Sequence, residues 1–259
     1  MSASASASAF VSRRAALLLA ALLALPLSAS AQQLTVSAAA SLTDAFKEIG
    51  QKFEASKPGT TLRFNFAASG VLIQQIAQGA PVDIFASADQ ATMNRGVEQK
   101  LIAPGTRRDF AANSVVLIVP AQGGLDLKTV GDLAKPEVKR VAIGKTETVP
   151  VGRYTRQVLD SANLWSALAP KFVQADSVRQ VLDYVARGEA EAGFVYRTDA
   201  AIMADKVKVA LTASGHTPVT YPVGVVAESR QKALAQDFVA YLASPPAQEV
   251  LVRFGFAKP

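Results

Sequence analysis

The chain has 259 residues, with 27 Lys and Arg against 21 Asp and Glu, one histidine, no cysteine and a formal net charge of +6. The lack of cysteine excludes disulfides, thiolate metal sites and cysteine nucleophiles, and the dispersed charge forms no basic stripe of the kind that holds nucleic acid. A single histidine leaves little from which to build a catalytic triad or a metal centre.

The first segment reads as a leader. Arg13 and Arg14 precede an uncharged Leu- and Ala-rich run over residues 15–27, and Ala29-Ser30-Ala31 supplies small residues at a cleavage position before Gln32. This pattern predicts a signal peptide over residues 1–31, removed near Ala31, and an exported, soluble mature chain. A membrane anchor is the competing reading, and the shortness of the apolar run argues against it. With no cysteine, there is no residue to carry a lipid tether.

From Gln32 onward, short β-branched or aromatic runs alternate with amphipathic helical stretches. Strands are predicted at 34–38, 61–66, 82–87, 114–120, 140–144, 171–175, 192–196, 207–211 and 221–227. Helical spacing appears between them, as in Phe46, Ile49 and Phe53, and again in Val178, Val181, Leu182 and Val185. The alternation predicts an α/β architecture with mainly parallel sheets flanked by helices.

The very apolar segment 114–120 runs into a glycine-rich turn, and a second apolar strand follows at 221–227. Laid side by side, these would carry the chain out of one lobe and back into it. The expected division is a discontinuous lobe I over 32–119 plus 222–259 and a lobe II over 120–221, with a ligand cleft between them.

Enzyme chemistry is poorly supported. His216 lies in the polar turn "SGHTP", with no nucleophile or orienting acid legible beside it. There is no phosphate loop with lysine, no nucleophile elbow and no spaced cluster of carboxylates for a metal ion.

Helix starts that directly follow strands are more informative. Ser41 follows "TVSAAA", Ser69 and Gly70 follow "FNFAA", Val151 follows "GKTETVP", and Val178 follows "FVQADS". A helix start leaves backbone N–H groups without intrahelical partners and carries the positive end of the helix dipole, so several starts converging on one point make an anion site from neutral groups. Taken singly, Ser41 and Ser69 read equally well as helix caps, and Tyr196 as a buried ring with its hydroxyl on a neighbour. Thr43 and Asp44 read as ordinary first-turn residues.

The order and spacing of "AAASLTDAF", "FAASGVLIQQIAQGAPVDIFASAD", "ETVPVGRY", "ADSVRQVLDYVARGEAEAGFVYRTDA" and "YPVGVV" resemble those of the periplasmic molybdate-binding proteins, the receptors of ABC-type molybdate importers. The resemblance spans essentially all of the mature chain. It implies a two-lobed type II periplasmic binding protein, not an enzyme, that captures molybdate, with tungstate beside it, and passes it to an importer permease in the inner membrane. It further implies a periplasmic monomer with no cofactor and no bound cation.

The resemblance assigns the oxyanion to Ser41 and Ser69 in the first lobe, to the backbone N–H groups of Val151 and Val178 in the second, and to the Tyr196 hydroxyl. Molybdenum would then be held only through its oxygens. Gly70 departs from members that carry serine there, which would loosen the loop, and Lys145 is read as a solvated rim residue. Sulfate or thiosulfate is the alternative ligand, and a secreted hydrolase pairing a serine with His216 is the alternative of another class.

Overall fold

The computed structural model describes residues 32–259; the leader read over residues 1–31 lies outside the described residues. In chain order the strands are β1 (Gln32–Ala39), β2 (Thr60–Ala67), β3 (Ile84–Ala86), β4 (Arg108–Asn113) and β5 (Val115–Pro120). There follow β6 (Val141–Gly144), β7 (Phe172–Ala175), β8 (Ala192–Tyr196), β9 (Val207–Thr212) and β10 (Val219–Val225). The helices are α1 (Thr43–Ser56), α2 (Ser69–Ala77), α3 (Gln90–Glu98), α4 (Pro150–Ser161) and the single turn α5 (Trp165–Leu168). The last four are α6 (Val178–Ala186), α7 (Arg197–Ile202), α8 (Lys232–Tyr241) and α9 (Pro245–Arg253).

The strands form two five-stranded sheets, ordered β2-β1-β3-β10-β4 and β7-β6-β8-β5-β9. In the first, β1 pairs in parallel with β2 and β3, while β10 runs antiparallel to β3 and β4. The second repeats the pattern: β6 is parallel to β7 and β8, and β5 is antiparallel to β8 and β9. Each sheet is therefore mixed, with one reversed strand, and that strand is the one arriving from the other sheet. The architecture is the two-lobed one expected, with parallel strands alternating with helices and one reversed strand in each lobe.

One expected pairing is not made. Segment 114–120 does not lie beside segment 221–227: β5 sits in the second sheet between β8 and β9, and β10 sits in the first between β3 and β4. Burial makes β5 an interior strand without choosing its sheet. The first five residues of β5 are fully enclosed, and a strand apolar on both faces needs a position covered by helices on each side. Segment 108–113 is a strand that the sequence pattern does not announce; β4 is the edge of the first sheet, and its half-polar sequence RDFAAN carries no alternation.

Helix faces follow the apolar spacing. In α1, Ala45, Phe46, Ile49, Gly50 and Phe53 are buried on one side, and in α6 Val178, Val181, Leu182 and Val185 are. An aromatic cluster seals the first sheet: the Phe46 ring lies 5.6 Å from that of Phe110, and Phe53 meets Phe238 edge-on at 5.1 Å. Among the described residues, no helix is long and apolar enough to cross a membrane.

The cluster gives a stability test. Phe46 is fully enclosed, so Phe46→Ala removes its transfer free energy and leaves a cavity, a loss of about 3–5 kcal/mol. Urea denaturation should show a lower midpoint with an unchanged slope; a loss under about 1 kcal/mol would contradict the packing described.

Candidate functional site

The strands point their carboxyl ends at one place. β1 ends in small buried residues and passes through the tight turn Ala40–Leu42 that carries Ser41 before α1 begins. β2 ends at Ala67, and Ser69 is the first residue of α2. In the second sheet, β6 leads to Pro150 at the first position of α4, with Val151 next, and β7 leads to Ser177, which caps α6 ahead of Val178. Tyr196 is the last residue of β8. Proline suits the first turn because its missing N–H would have no intrahelical acceptor there.

These five residues, Ser41, Ser69, Val151, Val178 and Tyr196, line a single small cavity. Its remaining walls are Ala39, Ala40, Ala67, Ala68, Ala88, Val149 and Pro150, so no charged side chain enters it. Larger hollows exist, among them one of about 820 Å³ bordered by Gln33 and Thr35 at the opposite, amino-terminal end of β1. The small cavity differs in being lined by the first residues of four chain turns.

The donors are specific. The backbone N–H groups of Ser41, Ser69, Val151 and Val178 have no acceptor among the described residues. Neither serine caps its own helix. Ser69 Oγ instead accepts the Ala88 N–H at 3.0 Å, and Ser41 Oγ is hydrogen-bonded to Tyr221 Oη at 3.0 Å. Tyr196 Oη donates to the Ala88 carbonyl at 3.4 Å, the long end of the range.

Burial pushes the hydroxyls of Tyr196 and Tyr221 well above the usual phenol range, reinforced at Tyr196 by its two tyrosine neighbours and at Tyr221 by Asp199. Both stay protonated and able to donate.

Positive charge stands near the cavity but is already matched. Arg153 on α4 donates to Asp89 Oδ2 and to Thr92 Oγ1, each at 2.7 Å, across to the first sheet. Arg179 on α6 donates to Asp44 Oδ2 at 2.8 Å on the first sheet and to Asp199 Oδ1 at 2.7 Å on its own. Asp199 is completely enclosed, and burial outweighs the Arg179 partner, pushing its carboxyl up to about 6. Each guanidinium is thus occupied by carboxylates, and among the described residues no charged side chain lines the cavity.

The two sheets also meet through backbone. The Gly70 N–H donates to the Thr148 carbonyl at 2.9 Å. A Cβ at Gly70 would lie 2.6 Å from that oxygen and 2.7 Å from Thr148 Cα, so only glycine permits the approach. Gly70 tightens the junction, where its sequence suggests a loosened loop.

Other expectations resolve plainly. Thr43 is a first-turn residue, its Oγ1 on the Ala40 carbonyl, but Asp44 also receives Arg179 from the other sheet. Lys145 is exposed and paired with Asp176 at 2.5 Å. His216 bonds the Thr217 carbonyl and packs against Tyr154, and neither serine oxygen takes it as partner. Among the described residues, no cluster of His, Asp or Glu could hold a metal ion.

Sequence reasoning misses Tyr221, Asn113, Asp89, Arg153 and Arg179. The two arginines follow Val151 and Val178 by two positions and one, so an arginine just inside each site-forming helix is the available signal; nothing local marks Tyr221 or Asn113.

Known proteins resemble this chain along most of its length. A molybdate-binding protein ModA of Escherichia coli K12 is 38% identical over 86% of this chain and 88% of its own. The one from Haemophilus influenzae is 35% identical over 88% and 91%. The solved Azotobacter vinelandii periplasmic molybdate-binding protein superposes with a TM-score of 0.77 at 24% identity, covering 87% of this chain and 99% of that one. The profile of the bacterial extracellular solute-binding proteins matches residues 34–257. With its two mixed sheets, its cavity at the strands' carboxyl ends and this continuous match, the chain belongs to the bacterial extracellular solute-binding protein family.

Proposed function

We propose that this protein captures molybdate, and tungstate with it, in the periplasm and delivers it as a monomer to the permease of an ABC importer in the inner membrane. One observation carries the reading: Ser41, Ser69, Val151 and Val178, whose amides have no acceptor among the described residues, line one small cavity together with Tyr196, and no charged side chain of the described residues lines it. On this reading the lobes part between Asn113 and Ser114, and again over residues 213–218, where the chain passes between the sheets.

The chemistry is hydrogen-bond donation to a buried dianion. Bonds to a charged acceptor contribute about 1.5–3 kcal/mol each, offset in part by immobilising the lobes and stripping water from the anion. The helix starts direct their positive ends inward. Donor-only lining accepts an oxyanion bare of protons and opposes one whose hydroxyl would face a donor. Molybdate and tungstate are bare at neutral pH, whereas phosphate retains a proton. The 35–38% identical molybdate-binding relatives support molybdate over sulfate.

Closing the lobes brings the donors of both together. The Arg153–Asp89 and Arg179–Asp44 pairs and the Gly70–Thr148 bond are made only when the lobes meet, so each adds to the closed form.

Calorimetric titration with molybdate, tungstate, sulfate and phosphate tests the ligand: molybdate and tungstate should bind tightly and phosphate negligibly, and tight sulfate binding without a response to molybdate would overturn the reading. Ser41→Ala and Ser69→Ala should each weaken molybdate about ten- to a hundredfold while the folded state is kept; if neither alters affinity, the assigned site is wrong. Gly70→Ala places a methyl against the Thr148 backbone and should also weaken molybdate at least about tenfold, whereas an unaltered dissociation constant would show that binding does not require this approach.

A further inference from the structure

The hydrogen bonds behind Ser41 have a direction, and it can be read from one end. The Ser114 N–H donates to Asn113 Oδ1 at 2.8 Å. That fixes the amide of Asn113, so its Nδ2 is the atom facing Thr198 Oγ1 at 2.9 Å and Tyr221 Oη at 3.3 Å. An amide nitrogen only donates. Tyr221 Oη therefore accepts from Asn113, and its own hydrogen needs an acceptor, because a buried hydroxyl left unpaired is costly. Among the described residues its other partner is Ser41 Oγ, at 3.0 Å. Tyr221 is fully enclosed, its ring edge-on to Phe256 at 5.4 Å and 5.8 Å from Tyr196, so the phenol cannot turn elsewhere.

We infer that Asn113 and Tyr221 are positioning residues that set the polarity of the Ser41 hydroxyl, making it a donor toward the cavity. Resting on the oxyanion reading above, this deepens it: the hydroxyl is pointed at the anion before the anion arrives. Ser69 reaches the same polarity by a different route, since its oxygen accepts the Ala88 N–H and its hydrogen is left to turn inward. Both serines thus have one lone pair occupied and a hydrogen free for the cavity, which favours an oxygen that accepts at those two contacts. Hydroxyls oriented in advance also save the ordering that binding would otherwise require.

Tyr221→Phe keeps the ring and its packing and deletes only the hydroxyl. The test is a double-mutant cycle on the full mature chain, with molybdate titrated into wild type, Tyr221→Phe, Ser41→Ala and the double variant. The expected result is about a tenfold weaker dissociation constant for Tyr221→Phe and no further loss when it is added to Ser41→Ala, since it acts only through the Ser41 hydroxyl. A merely structural role for Tyr221 would cost the same in both backgrounds, and that result overturns the inference, as does a Tyr221→Phe protein with wild-type affinity. If wild type takes sulfate and ignores molybdate, the ligand reading fails alone, and the cycle run with sulfate decides the inference by the same comparison of backgrounds. If wild type binds none of the four oxyanions, both readings fall.

Discussion

Backbone amides that a helix cannot use at its own start are what the whole structure depends on. At Ser41, Ser69, Val151 and Val178 these groups lie buried with no acceptor among the described residues, a costly arrangement for a polar group shut away from water. The rest of the structure keeps them there. Alanines clear the approach, Pro150 shapes one first turn, and two sheets with the same strand order aim their carboxyl ends at each other. On the proposed reading a tetrahedral dianion would satisfy the amides and hydroxyls together, and the cost of leaving them open would become the driving force for capture.

Charge is present but kept one layer out. A bare arginine in the cavity would attract any anion, protonated or not, whereas Arg153 and Arg179 are matched by Asp89, Asp44 and Asp199. Their geometry suits joining the lobes better than binding, since each reaches from a site-forming helix of one sheet to a carboxylate on the other. Selectivity then comes from the direction of hydrogen bonds, and affinity from how well the lobes meet. Gly70 belongs to the second of these, and Tyr221 to the first.

Much of this is legible in the sequence, for identifiable reasons. Nine of the ten strands carry enough β-branched or apolar residues to be placed, and the Phe46–Ile49–Phe53 and Val178–Val181–Leu182 spacings mark their helices. β4 escapes notice because an exposed edge imposes no alternation. The place of β5 is hidden because an apolar run shows that a strand is central without showing in which sheet. The five proposed donor positions are readable only through their joint resemblance to a known pattern, each alone reading as a helix start or a core ring. The Ser41–Tyr221 bond spans 180 residues and the Arg153–Asp89 bond 64; no local signal encodes such pairings, which exist only once the sheets are built.

The central claim is that neutral donors hold the anion while the arginines do not touch it. Crystals grown with molybdate and measured across the molybdenum absorption edge test it most directly, because the anomalous signal marks the metal without interpretation. The account predicts one molybdenum peak in the cavity, its oxygens at about 2.7–3.2 Å from the Ser41, Ser69 and Tyr196 hydroxyls and the Val151 and Val178 amides. A peak on Arg153 or Arg179, or at any other surface, would contradict it.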